Sequence, residues 1–356
     1  MMSVRSFVAV VFVLILSSGI PVPLSGEDTD SKIEIDAIKR IQIPRQAEAS
    51  RTYRFREGTD AAQWLAELRL TQLGDPKQTR DVLFLFHGDT PNYYVRYGGG
   101  NAASITADFS KLHQVLSSIN EGLLVIQPLS AERDWHSLYR EAPRDSRAKP
   151  IITLLHEVYD QSCLQLPGKK GALHLHSFSG AGRIDRAWHE YFSVEGRRGQ
   201  RGRALLKDEL KSWTASDAMV NNSFSNADKE KFGSVLAASW AGFLHRNPDL
   251  PVTFIYDREG EYSYMQGVNL DVLRYTEDLR AKGKIVSEPS VGFVRSGDYL
   301  RSINKDQTAV LAELAKREGR SGVITLDKAD GHIHTFLGKI ADAYLNHNIH
   351  RKTTKR

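Results

Sequence analysis

Short continuous apolar runs, separated by segments of helical spacing, constrain this chain more than any other feature of its sequence. Val82 to Phe86 is an unbroken apolar run, Ile105 to Ile119 carries Phe109, Leu112, Val115 and Leu116 at helical spacing, and Leu123 to Gln127 is apolar again. This pattern predicts a strand, a helix and a strand, one βαβ unit. The rhythm continues with a helix over Ile151 to Tyr159, a strand over Ala172 to His176 and a helix from about Gly182 to Phe192. Further strands are expected at Ala218 to Asn222, Val252 to Tyr256 and Gly322 to Leu326, with helices around Phe232 to His245, Val272 to Lys282 and Thr335 to Tyr344. Strands this apolar must be buried on both faces, so the expected architecture is α/β: a mostly parallel, doubly wound sheet with helices on both faces. In such sheets ligands bind beyond the carboxyl ends of the strands, which directs attention to the loops that follow them.

The ends of the chain read differently. Arg5 precedes Phe7 to Leu16 (FVAVVFVLIL), followed by Ser17, Ser18, Gly19, Pro21 and Pro23. This resembles a secretory signal peptide over residues 1–26 and predicts export, to the periplasm or beyond. The competing reading is an uncleaved membrane anchor, although the apolar run falls short of the ~20 residues needed to span a bilayer. The polar stretch from Gly26 to about Arg51 reads as a linker, with one domain from Thr52 to about residue 350 and a basic tail at 351–356. Residues 193–215 are charged and glycine-punctuated, and are expected to form an insertion on one rim.

The 356 residues, 41% apolar and 26% charged, supply enough core material for a large folded domain. The single cysteine, Cys163, cannot form an internal disulfide, so the core alone must hold the domain. It sits between Gln161 and Leu164 in a segment with no glycine turn to present it, which argues against a nucleophilic role. The net charge of +5 concentrates at Arg197, Arg198, Arg201, Arg203 and the tail, favouring anionic surfaces or substrates. No aromatics interleave with these charges as in nucleic-acid binders, so no nucleic-acid partner is expected.

The most informative stretch is Leu173-His174-Leu175-His176-Ser177-Phe178-Ser179-Gly180-Ala181-Gly182, a strand that breaks into a small-residue turn and opens a helix. It resembles the nucleophile elbow of the α/β-hydrolases, written G-x-S-x-G, in which the strained turn demands small residues two before and two after the serine. Around Ser179 those places hold Ser177 and Ala181, small but not glycine. Ser177 is the rival nucleophile, but Leu175 would then occupy the crowded position. The family's chain order is serine, acid, histidine. Asp257 follows the strand at Val252 to Tyr256, with Glu259 and then Asp327 as alternative acids. His332, in Asp330-Gly331-His332-Ile333-His334, precedes the last helix, and His334 is its alternative.

The resemblance also implies an oxyanion hole. Gly180 supplies the backbone N–H after the nucleophile, and the loop at His87-Gly88-Asp89 is similar to the family's His-Gly motif, so the second N–H comes from Asp89 or its neighbour. Gly88 permits a close backbone turn there. His87, Tyr93 and Tyr94 stand beside this loop and are candidates for lining a substrate cleft. Together these signals span roughly Val82 to Leu345 and imply a serine hydrolase acting on an ester-type acyl bond, in a small molecule or a polymer, with no cofactor and no metal. Two readings compete with it. His174 with His176, and His332 with His334, each present two imidazoles to one side and suggest a metal hydrolase. A non-catalytic binding protein on the same fold is the other.

Overall fold

The computed structural model describes residues 33–87, 122–131, 135, 138, 148–167, 172–178, 181–193, 200–216, 239–240, 242–244, 246–247, 250, 252–257, 290–294 and 322–326. They build one sheet of ten strands: β1 (Ile33–Ile35), β2 (Ser50–Phe55), β3 (Leu65–Leu73), β4 (Asp81–Phe86), β5 (Leu123–Ser130), β6 (Ala172–Phe178), β7 (Leu210–Ser216), β8 (Val252–Asp257), β9 (Ser290–Val294) and β10 (Gly322–Leu326). Their order across the sheet is β1-β2-β3-β5-β4-β6-β7-β8-β10-β9. Only the pairings of β3 with β2 and β5 are antiparallel; every other neighbour pair is parallel. The mostly parallel α/β sheet expected from the apolar runs is therefore present.

Helix α1 (Ala148–Cys163) and helix α2 (Gly182–Ser193) flank one face of this sheet, followed by the short helix α3 (Gln200–Ala204). The core they close contains Val82, Phe84 and Phe86 of β4, Leu173 and Leu175 of β6, and Trp213 of β7, together with Ile152, Leu155 and Val158 of α1 and Ile184 and Trp188 of α2. Side chains alternate across a strand, so the neighbours Leu83, Leu85, His174, His176, Ser212 and Thr214 point to the other face. They are buried as well. Both faces of the central strands are therefore covered, which is why their sequences read as continuous runs rather than as alternation.

Three expectations are corrected. The stretch read as a linker up to Arg51 belongs to the domain from Ile33 onward. β1 pairs parallel to β2, and Ile35, Ile38, Ile41 and Ile43 are buried in the main core. The five isoleucines are diluted by charged and polar residues, so the segment looked hydrophilic, yet all but Ile33 are buried. The charged stretch at 193–215 is not wholly a rim insertion, because Leu210–Ser216 is a central strand paired to both β6 and β8. The polar residues Lys211, Ser212, Thr214 and Ser216 disguised it. Lastly, β2, β3 and β9 had no expected counterpart: β2 and β3 are half-polar and give no continuous apolar run, and the apolar run of β9 is short and broken by Gly292.

The other expected strands are found close to their anticipated bounds. The helices expected at 105–119, 272–282 and 335–344, the strand at 218–222, the leader at 1–26 and the tail at 351–356 lie outside the described residues. Among the described residues, no helix is long and apolar enough to cross a membrane.

Candidate active site

Parallel register brings the carboxyl ends of the central strands to one edge of the sheet. Phe86 of β4 stands beside Ser177 of β6, Phe178 of β6 beside Ser216 of β7, Ser216 beside Ile255 of β8, and Asp257 of β8 beside Leu326 of β10. The expected oxyanion loop, nucleophile, acid and base each follow one of these strand ends in the chain. Of the expected site residues, Ser177 and His87 are described with their side chains, and Asp257 is the last residue of β8. Ser179, Gly180, Gly88, Asp89, Tyr93, Tyr94, Glu259, His332 and His334 lie outside the described residues.

Ser177 is wholly buried, and its hydroxyl donates a short hydrogen bond to Oδ2 of Asp185. Asp185 sits in the first turn of α2 and is itself fully buried. Its Oδ1 accepts the indole N–H of Trp213 from β7 at 2.7 Å. One carboxyl thus joins the strand before the turn, the helix after it and the neighbouring strand. Burial pushes the Asp185 carboxyl up to about 7, while the hydrogen bonds from Ser177 and Trp213 pull it back toward the ordinary range. A buried polar group left without its hydrogen-bond partner costs about 1–3 kcal/mol, so removing either partner leaves an oxygen that bulk water does not reach. Engaged in this way, the Ser177 hydroxyl is buried beneath the turn.

His87, the residue after β4, is also committed to structure. Its Nε2 accepts the backbone N–H of Ser130, the last residue of β5, at 3.2 Å. A neutral imidazole that accepts at Nε2 carries its proton on Nδ1. The ring stacks on Trp135 with centroids 4.8 Å apart, and the His87 carbonyl accepts the Trp135 indole N–H at 2.8 Å. At 4% exposure this imidazole has little surface to offer a substrate. Its place among the cleft candidates is corrected: burial and the tie to Ser130 make it a link between the ends of β4 and β5.

The two strand histidines considered as metal ligands do share one face of β6. His174 Nδ1 is 2.7 Å from Ser212 Oγ, and its Nε2 lies 4.0 Å from Asp81. Burial, with a smaller contribution from Lys211, pushes His174 down to about 4; burial alone does the same to His176. Among the described residues, no three His, Cys, Asp or Glu side chains stand where they could hold a metal ion. Cys163 is a buried free thiol.

Asp185 and Trp213 were missed as functional candidates. A signal was present: Asp185 shares a helical face with Trp188 and Phe192, an acidic side chain on an otherwise apolar stripe directly after a small-residue turn.

No protein-family model matches the chain, and no curated protein matches it. Solved structures do resemble it. The feruloyl esterase module of Clostridium thermocellum aligns at 12% identity and a TM-score of 0.43, covering 90% of this chain and 94% of that one. Esterase 2 of Thermogutta terrifontis aligns at 10% identity and a TM-score of 0.41, covering 88% and 98%. An IroE-like serine hydrolase from Shewanella oneidensis aligns at 9% identity and a TM-score of 0.38, covering 80% and 78%. These are distant likenesses of fold, and no substrate or catalytic residue is taken from them.

Proposed function

We propose that this chain is an α/β-hydrolase-fold serine hydrolase that cleaves ester-type acyl bonds through Ser179, His332 and Asp257. The supporting observation is the register of the strand ends. The ends of β6, β8 and β10 lie at the same edge of one mostly parallel sheet, and in the sequence a small-residue stretch follows β6, an aspartate ends β8 and the histidine pair follows β10, the chain order this chemistry uses. The burial of Ser177 favours Ser179 as the nucleophile of the turn.

Reach also favours the assignment. Adjacent strands lie about 4.8 Å apart, so β10 is about 14 Å from β6 along the edge. His332 is six residues past Leu326, and six extended residues span up to about 20 Å. The loop is long enough to return its histidine to the elbow.

In this reading His332, oriented by Asp257, takes the proton from Ser179 Oγ as that oxygen attacks the acyl carbonyl. The N–H groups of Gly180 and Asp89 hold the oxyanion, with Gly88 allowing the close approach. His332 returns the proton to the departing alkoxide, then activates the water that releases the acyl group. Glu259 and His334 are the alternative acid and base. No cofactor enters the cycle. The substrate is a small or polymeric acyl compound, with the basic residues favouring an anionic one. Residues 1–26 act as an export signal, so the mature enzyme works in the periplasm or outside the cell.

The test is fluorophosphonate labelling of the purified mature protein with peptide mass mapping. Label on Ser179 that disappears in Ser179→Ala supports the assignment; a folded protein that takes no label overturns it. Replacing His332 or Asp257, in parallel with His334 and Glu259, identifies the base and acid by which variant loses labelling by ~10³-fold or more.

A further inference from the structure

We propose that Asp185 is a positioning residue for the nucleophile, a buried clamp that fixes the elbow turn by holding its two ends and the adjacent strand together. This deepens the reading of Ser179 as nucleophile and rests on it.

The geometry that carries the inference lies entirely beneath the turn. Ser177 and Asp185 are eight residues apart, and the turn between Phe178 and Gly182 lies inside the loop their hydrogen bond closes. The second carboxylate oxygen takes the Trp213 indole N–H at 2.7 Å, from the strand next to β6. Trp213 is itself wedged among aromatic rings, 4.9 Å from Trp240 and 5.9 Å from Phe192 between centroids, so its N–H is held in place. Ser177, Asp185 and Trp213 are all at 0% exposure. A surface cap would exchange with bulk water; this carboxyl is shielded from bulk solvent and held by hydrogen bonds to two protein side chains.

A strained turn keeps its shape only where surrounding structure over-determines it. Small residues allow strand and helix to approach, but they do not hold them there. The Asp185 carboxyl supplies the missing tie. A side chain whose role is to hold the serine oxygen at attacking distance acts on the chemical step rather than on substrate binding.

The experiment compares Ser177→Ala, Trp213→Phe, Asp185→Leu and Asp185→Asn with the full-length wild-type protein, measuring kcat and KM on p-nitrophenyl acetate, the fluorophosphonate labelling rate and Tm. Ser177→Ala and Trp213→Phe each cut one arm of the clamp and are the variants expected to fold even where Asp185→Leu does not. The expected result is a kcat and a labelling rate lowered tenfold or more in Ser177→Ala, with KM within twofold of wild type. Asp185→Asn is expected to stay within about threefold, because its carbonyl can take the Trp213 N–H and its amide can face Ser177. Wild-type labelling rates in Ser177→Ala and Trp213→Phe overturn the clamp while leaving Ser179 as nucleophile. A fall in KM-dependent binding alone, or loss in Asp185→Asn as deep as in Ser177→Ala, also overturns it. A wild-type protein that takes no label removes the nucleophile assignment, and the clamp with it.

Discussion

Gly122 illustrates how a single position can be set by its surroundings. It immediately precedes β5 with φ +85°, and a Cβ added there would meet the Asp75 carbonyl oxygen at 2.3 Å and Thr79 Oγ1 at 2.4 Å. Thr79 cannot yield freely, because its hydroxyl donates to the Asp75 carbonyl and accepts from Gln72 Nε2 at 2.6 Å. Gly122→Ala is therefore expected to lose at least ~2 kcal/mol, from the left-handed backbone and from disrupting that buried chain. Urea unfolding of the variant measures it. Its contact with a turn more than forty residues earlier is not readable in the sequence. The same holds for Ser177. As a rival nucleophile it was visible from its neighbours, whereas its burial against Asp185 depends on a helix that packs back on the strand.

At the scale of elements, the backbone of residues 41–43 is tied to the region after α1 by one side chain. Gln165 accepts the Ile43 N–H at 3.1 Å and donates to the Ile41 carbonyl at 2.9 Å, pairing with the backbone as a neighbouring strand would. Its Nε2 also reaches the Gln161 carbonyl at 2.9 Å. Gln165→Ala is expected to cost about 0.5–1.5 kcal/mol. It should also speed amide hydrogen exchange over residues 33–43 relative to β4 to β6, which distinguishes local undocking from global loss of stability. That segment was expected as a linker because its isoleucines are diluted by charge; docking by Gln165, 122 residues away, has no local signature. The strand β7 was hidden for a related reason. A central strand with Ser212 and Thr214 on its second face looks like loop sequence until His174 is seen to receive that serine.

For the whole molecule, buried titratable groups set the response to acid. His174, His176 and His189 are each pushed down from 6.5 to about 4, with burial the largest cause. Between pH 6.5 and 4 the unfolded chain binds the protons these imidazoles refuse, so their contribution is intact above pH 6.5 and is lost as pH falls toward 4. Asp185 acts in the opposite sense. Raised from 3.8 to about 7, it holds a proton in the folded state that the unfolded chain has released, so its contribution declines as pH rises from 3.8 to 7. Among the described residues His156 is lowered to about 4 as well, again chiefly by burial, so four imidazoles against one carboxyl predict net acid lability, at about 1.4 kcal/mol per pH unit for each unmatched proton. Calorimetry is expected to show Tm falling between pH 6.5 and 4, more steeply in Asp185→Asn, where the opposing group is gone. A Tm that is flat over that range would contradict the assignment of these imidazoles as neutral and buried.

What the sequence determined by itself was whatever local chemistry expresses: the parallel α/β class, because strands buried on both faces must be apolar throughout, and the run of small residues between strand β6 and helix α2, which is what the elbow expectation rests on. The order of serine, aspartate and histidine was legible for the same reason, each following its own strand. Only the tertiary structure decided that residues 33–43 join the core, that 210–216 is a central strand, that His87 links the ends of β4 and β5 and that Asp185 binds Ser177 and Trp213. Each of these depends on partners distant in the chain or across a packed layer, and a polar side chain carries no local sign of whether it faces water or a buried partner.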